Sequence, residues 1–325
     1  MSDEGRVPMK IAAKSCWALV FFVVGALLPA LGYCSDAGHE KQNARISFGV
    51  IADVQYADQE SQGRRHYREA IDKLEECVAD LNSRDLTFTI QVGDIIDRGE
   101  ESFDRVLPVF NRLRMRKYHV LGNHDFPVAR QEVLAKLSME RAYYSFSEGD
   151  WRFVVLDTMD ISMYGGWAEE GENYQQAQQW EEELKSEPEP RACNKCGAIG
   201  QQQQQWLRDT LREACEHGEK VIVFGHIPIV ASPGNEWALL YNHEEVQEIL
   251  ESFECVMAYF NGHAHEGGYA YSNGIHYVNV EGMVEAPEEN AYAVVDLYDD
   301  RIEIRGVGKV TSRTLPASRQ REGEH

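Results

Sequence analysis

The stretch FGVIADVQYAD, Phe48–Asp58, decides how this chain is read. An apolar run leads into Asp53, and Gln55 follows two positions later. A short apolar run that stops at an acid reads as a buried strand carrying a polar group at its carboxyl end. The event recurs. LTFTIQVGD ends at Asp94, KYHVLGNHD at Asn123 and His124, KVIVFGHIP at His226, and CVMAYFNGHAH at His263 and His265. A single acid or histidine at a strand end means little. Five such ends in succession put coordinating side chains where open α/β sheets gather their functional groups.

The segments between are helical by spacing: HYREAIDKLEECVADLNSR, SFDRVLPVFNRLR, ARQEVLAKL, QQQQQWLRDTLREACEHG and VQEILESF. AYYSFSEGDWRFVVLDT reads as a hairpin, and the C-terminal part is strand-rich with a turn at Asp299–Asp300. This order predicts an α/β sandwich with sheets inside and helices outside. A polar excursion from Ser162 to Gly200 is expected to be a lid or a substrate-facing insertion. Residues 35–45 read as a linker, 46–312 as the catalytic domain and 313–325 as a disordered polar tail.

The 325 residues carry a formal net charge of -22. Such a chain has no general attraction for nucleic acid or an anionic membrane surface, and it repels a phosphate-bearing substrate unless bound cations reverse the local field. The strand-end set contains oxygen and imidazole donors without thiolate, which suits Mn, Fe, Zn, Co or Mg. Gly93, Gly122, Gly225 and Gly262 flank the donors and are expected to permit tight turns.

These motifs resemble the calcineurin-like metallophosphoesterase superfamily. GVIADVQYAD, RRHYREAI, VGDIIDRG, GNHDF, GHIPI, GHAHEGGY and YVNVEGMVEAPEENAYAVVDLY are similar, more narrowly, to the manganese-dependent ADP-ribose/CDP-alcohol diphosphatases. That resemblance implies a four-layer α/β/β/α sandwich with a two-metal site at the carboxyl ends of the strands. Asp53, Gln55, Asp94 and His265 would hold one ion; Asp94, Asn123, His226 and His263 the other. A hydroxide between the ions would split nucleoside diphosphate derivatives into phosphomonoesters, with His124 stabilising the transition state or protonating the leaving oxygen. The wider superfamily mostly carries histidine at the position of Gln55, whereas the resemblance is to a narrower family that carries glutamine there. An amide oxygen favours harder ions, so Mn²⁺ is expected, with Mg²⁺, Co²⁺ or Fe²⁺ as alternatives. Arg64, Arg65 and Tyr269 are candidate substrate contacts, and Asp97 a loop-forming neighbour. The metal motifs alone also suit a phosphomonoesterase or a cyclic-nucleotide phosphodiesterase. A binding protein that has lost its chemistry is disfavoured, because every expected ligand position holds a coordinating residue. No protein partner is implied.

Residues 15–35 carry no charge and include WALVFFVVGALL. With a basic start and small residues after Pro29, residues 1–34 read as a secretory signal; the alternative is an anchor spanning a membrane at residues 15–35. An exported protein is expected, and membrane contact only if that segment stays uncleaved. Of the seven cysteines, Cys77, Cys215 and Cys255 read as core residues. Cys193 and Cys196, in CNKC, offer too few ligands for a structural zinc and suit a small disulfide loop.

Overall fold

The computed structural model describes residues 44–186, 193, 195–285 and 288–318. The expected signal or anchor lies outside them, as do most of the linker and residues 319–325. Among the described residues no helix is long and apolar enough to cross a membrane.

β1 (Ile46–Ile51), β2 (Phe88–Val92) and β3 (Arg116–Val120) lie parallel in one six-stranded sheet. The helices α1 (Ala70–Asn82) and α2 (Glu101–Phe110) make the crossovers and pack on each other. The hairpin β4 (Tyr144–Glu148) and β5 (Trp151–Val155) opens the second sheet; α3 (Arg130–Lys136) precedes it. After α4 (Glu172–Ser186) and α5 (Gln201–Glu216) come β6 (Lys220–Phe224), α6 (His243–Glu251) and β7 (Val256–Asn261). β8 (Gly268–Ser272) and β9 (Ile275–Asn279) complete that sheet in the order β4-β5-β6-β7-β9-β8. The chain then returns to the first sheet as β10 (Ala291–Leu297), β11 (Arg301–Gly308) and β12 (Arg313–Pro316), giving β12-β11-β10-β1-β2-β3.

The period-two alternation of β1 explains the layers. Phe48 points between the sheets: it stacks on Phe88 at 4.7 Å and meets Phe153 and Phe224 of the other sheet edge-on at 5.7 and 5.9 Å. Gly49 faces the other way, with Leu81 of α1 so near that a Cβ would touch it. A second apolar cluster joins Leu207 and Leu211 of α5 and Val246 and Ile249 of α6 to Val221 and Val223 of β6. Helix, sheet, sheet and helix therefore form four layers, as expected.

Several expectations need correction. β12 pairs with β11 from Arg313 to Pro316, so the ordered domain passes 312. Its polar, edge-strand sequence hid the pairing. The excursion contains α4. α1 starts at Ala70 rather than His66, because His66 N donates to Val284 O at 2.8 Å and holds the chain off the helix axis. Cys215 and Cys255 form a disulfide between the end of α5 and the start of β7. Both are only half-buried rather than plain core residues, and apolar periodicity does not show that two thiols forty residues apart meet. Cys77 is a buried free thiol, and Cys193–Cys196 is a disulfide, a state the sequence allowed but left open.

Candidate metal centre

The five expected strand ends meet along one edge of the sandwich. Asp53, Gln55, Asp94, Asn123 and His124 come from the first sheet; His226, His263 and His265 come from the second. Backbone bonds lace the loops together: Asp53 N donates to Gly93 O at 3.2 Å and Gln55 N to Asp94 O at 2.9 Å. Asp53, Gln55, Asp94 and His263 adopt φ of 49°, 43°, 57° and 69°. Non-glycine residues in this left-handed region cost about 1 kcal/mol or more each, and such strain gathers at functional sites. The donor-bearing residues thus make much of the turning themselves. Among the flanking glycines Gly93 turns at φ 102°, whereas Gly122 serves by leaving space, since a Cβ there would overlap the Asp94 carboxylate.

Seven side chains converge. Gln55 Nε2 lies 3.0 Å from Asp94 Oδ2 and 3.2 Å from His265 Nε2. His265 Nε2 is 3.3 Å from Asp53 Oδ1. His226 Nε2 is 3.2 Å from both Asp94 Oδ2 and Asn123 Oδ1. Donor atoms of Asp94, His226 and His263 all fall within 4.8 Å of one another. All seven residues are buried. Asp94 touches members of both groups, Gln55 on one side and His226 on the other. Burial works to raise its pKa, but the charges of His226 and His124 hold it well below the usual range. Burial also works to lower the pKa of His226, and the Asp94 carboxylate instead lifts it to about 9. Burial, then the charge of His226, pushes His263 well below the ordinary value.

His124 stands beside the cluster. Its backbone N donates to Asp94 Oδ1 at 2.7 Å, and its Nδ1 lies 3.0 Å from Asp97 O and 3.2 Å from Asp97 Oδ1. Asp97 is the neighbour it was expected to be. The site opens into a cavity of about 660 Å³ lined by Arg64, Arg65, Tyr67, Trp237, His263 and His265.

Residues 46–267 match the calcineurin-like phosphoesterase family. The chain belongs to that family. It also belongs among the relatives named manganese-dependent ADP-ribose/CDP-alcohol diphosphatase. The human one is 30% identical over 88% of this chain and 97% of its own length. The Arabidopsis thaliana one is 33% identical over 85% and 98%. The crystal structure of a dimetal phosphatase from Danio rerio superposes with a TM-score of 0.78 at 30% identity, covering 85% of this chain and 100% of that one.

Within this phosphoesterase the remaining candidates divide. Arg64 and Arg65 line the cavity, with Arg64 paired to Glu266 at 2.7 Å and Glu285 at 3.3 Å. Tyr269 does not line it. It sits on β8, its hydroxyl 2.9 Å from His276 Nδ1 and its ring under Arg313, so the structure does not bring it to the cavity. β8 was not expected, so the tyrosine's side of the sheet was not legible.

Other site residues escaped the sequence reading. Asp125, in GNHD, accepts from Gly122 N, Asp94 N and Ile95 N at 2.8, 3.0 and 2.9 Å and ties two loops. Its place in a quoted motif could have exposed it. Glu285 lies 3.3 Å from His265 Nδ1; despite burial, that contact, aided by Arg64 and Lys309, lowers its pKa to about 2. Trp237 is 60% exposed, with its ring 5.8 Å from that of His263. Lys195 Nζ lies 3.0 Å from His124 Nε2. Nothing in the local sequence marked Trp237 or Lys195.

Proposed function

We propose that this protein is a metal-dependent phosphoanhydride hydrolase that splits nucleoside diphosphate derivatives such as ADP-ribose and CDP-alcohols into two phosphomonoesters. The observation that carries the reading is the buried donor set shared through Asp94. Gln55 Oε1 is buried without a hydrogen-bond partner among the described residues, and the donors around it are carboxylate, amide and imidazole. Such a set fits two hard or borderline divalent cations. Asp53, Gln55, Asp94 and His265 would hold one, and Asp94, Asn123, His226 and His263 the other. The relatives' names support Mn²⁺ for this pair. When bound, the pair supplies an activated water and compensates charge on the phosphoryl oxygens.

The chain's own residues do the rest. Glu285 fixes the ring of His265 through Nδ1, leaving Nε2 directed at the centre. Asp97 holds His124 by Nδ1, so Nε2 is the atom that can pass a proton to, or stabilise charge on, the departing oxygen. Arg64 and Arg65 supply positive charge along the cavity of this acidic protein, and Trp237 offers a face on which a nucleobase can stack. The uncharged run at residues 15–35 and two disulfides support an exported protein, where extracellular nucleotide derivatives would be its substrates. N-terminal sequencing of the mature chain tests the export.

The deciding experiment is a panel of ADP-ribose, CDP-choline, a cyclic nucleotide and an aryl phosphate, each with defined metals. Hydrolysis is expected first for the two diphosphates with Mn²⁺. Asn123→Ala should remove at least about a hundredfold of that rate. A preference for the aryl phosphate or the cyclic nucleotide would overturn the reading.

A further inference from the structure

The polar excursion brings a cation to the site from a direction no strand end supplies. Lys195 is exposed, yet its Nζ reaches within 3.0 Å of His124 Nε2. Nδ1 of that ring is held by Asp97, so its Nε2 edge is the one that meets the lysine. The flexible side chain is borne by fixed backbone. The Cys193–Cys196 disulfide closes the turn, and both sulfurs pack 3.7 Å from His263 Nε2. Tyr241 Oη donates to Cys193 O at 3.1 Å, Ser162 Oγ to Cys196 O at 3.1 Å, and Tyr241 N to Gly197 O at 2.8 Å. A loop tied in this way, with one lysine directed at the catalytic histidine, is a built presenter rather than a solvated turn.

A lysine at such a place is a point-charge phosphate binder. The candidate metal ligands gather around Asp94, and Lys195 lies outside that cluster, on the Nε2 edge of His124. A diphosphate whose attacked phosphorus sat at that cluster would have its second phosphoryl group, the one that leaves, within reach of this outer place. We propose that Lys195 is a further catalytic residue, one that binds the departing phosphoryl group beside His124 and so favours diphosphates over monoesters. This inference rests on the diphosphatase reading above. In the step, water oxygen bonds to one phosphorus and the anhydride P–O bond breaks. Its electron pair stays on the departing phosphate, and the two hydrogens of water pass to the monoester products or to solvent. Lys195 stabilises the charge that grows on the departing group.

The test compares the full-length enzyme, loaded with Mn²⁺, with Lys195→Met, Lys195→Arg and a Cys193→Ser/Cys196→Ser double variant, each first checked for a native thermal melt. Specificity constants are measured on ADP-ribose and nitrophenyl phosphate, and affinities for α,β-methylene ADP and inorganic phosphate. Lys195→Met is expected to lower the ratio of the two specificity constants roughly tenfold to a hundredfold, and to weaken α,β-methylene ADP far more than phosphate. Lys195→Arg should recover part of both. The serine pair should reproduce the ratio change, and adding Lys195→Met to it should change little further. An unaltered ratio and unaltered affinities in Lys195→Met overturn the proposal. A wild-type enzyme inactive on ADP-ribose but active on nitrophenyl phosphate overturns the diphosphatase reading instead, and the affinity comparison still reads Lys195.

Discussion

Gln55 reaches across the first two strand ends to Asp94, its amide nitrogen 3.0 Å from Oδ2, while its own Oε1 is buried without a partner among the described residues. An amide oxygen is a weaker ligand than imidazole for borderline ions and a serviceable one for hard ions. Gln55→His should therefore keep the site able to bind metal but move its preference from Mn²⁺ toward Zn²⁺. Activity of the stripped protein reloaded with each ion, alongside metal content per chain, measures this. An unmoved Mn²⁺-to-Zn²⁺ activity ratio would count against Gln55 as a ligand.

Glu285 lies behind His265, the candidate ligand of the same ion, 3.3 Å from its Nδ1. Removing a carboxylate that orients a metal-bound histidine costs about ten- to a hundredfold in metal affinity or activity. Glu285→Ala is expected to raise the Mn²⁺ concentration for half-maximal activity by that factor, with kcat at saturating metal recovering most of its value. Since Arg64 also pairs with Glu285, a Michaelis constant for ADP-ribose measured at saturating Mn²⁺ separates a substrate effect from a metal effect.

The Cys215–Cys255 disulfide closes a sequence separation of 40 residues. Chain-entropy arguments assign such a link about 3 to 4 kcal/mol. Cys215→Ser/Cys255→Ser should lose stability of that order in urea unfolding while leaving the specificity constant of the folded enzyme near wild type, because the link lies at the far end of α5 and β7 from the strand ends.

His119 gives a pH dependence away from the metal centre. It is buried on β3, its ring 4.7 Å from Phe110 and Nδ1 3.4 Å from Gln91 Oε1. Burial, helped by the charge of Lys117, lowers its pKa to about 4. Between about 6.5 and 4 the unfolded chain binds a proton that the folded chain refuses, so stability falls as the pH drops through this window and levels off below it. The contribution lost is roughly 3 kcal/mol. His119→Gln should flatten the slope in this range relative to wild type, as read by urea midpoints at a series of pH values; equal slopes would contradict the assignment.

The donors were legible because each sits where a buried strand must stop, and strand ends are visible in a single sequence. Asp53, Asp94 and His226 needed no partner to be noticed. Trp237 and Lys195 lie on irregular segments whose path depends on what they pack against, so no local pattern marks them. The direction of Tyr269 was hidden for the related reason that β8 is a short edge strand with weak alternation. The Cys215–Cys255 pair shows the limit most simply: apolar contexts suggested two separate core residues, and the structure makes them one half-buried link.

The centre is assembled from two sheets, with Asp53, Gln55, Asp94 and Asn123 on one and His226, His263 and His265 on the other. The candidate centre is therefore also a seam. A ligand set divided across that seam exists only while the halves are docked, so occupancy and docking share one free energy. Thermal resistance should rise with metal concentration, and the same ions that equip the enzyme for chemistry would act as rivets between its two halves.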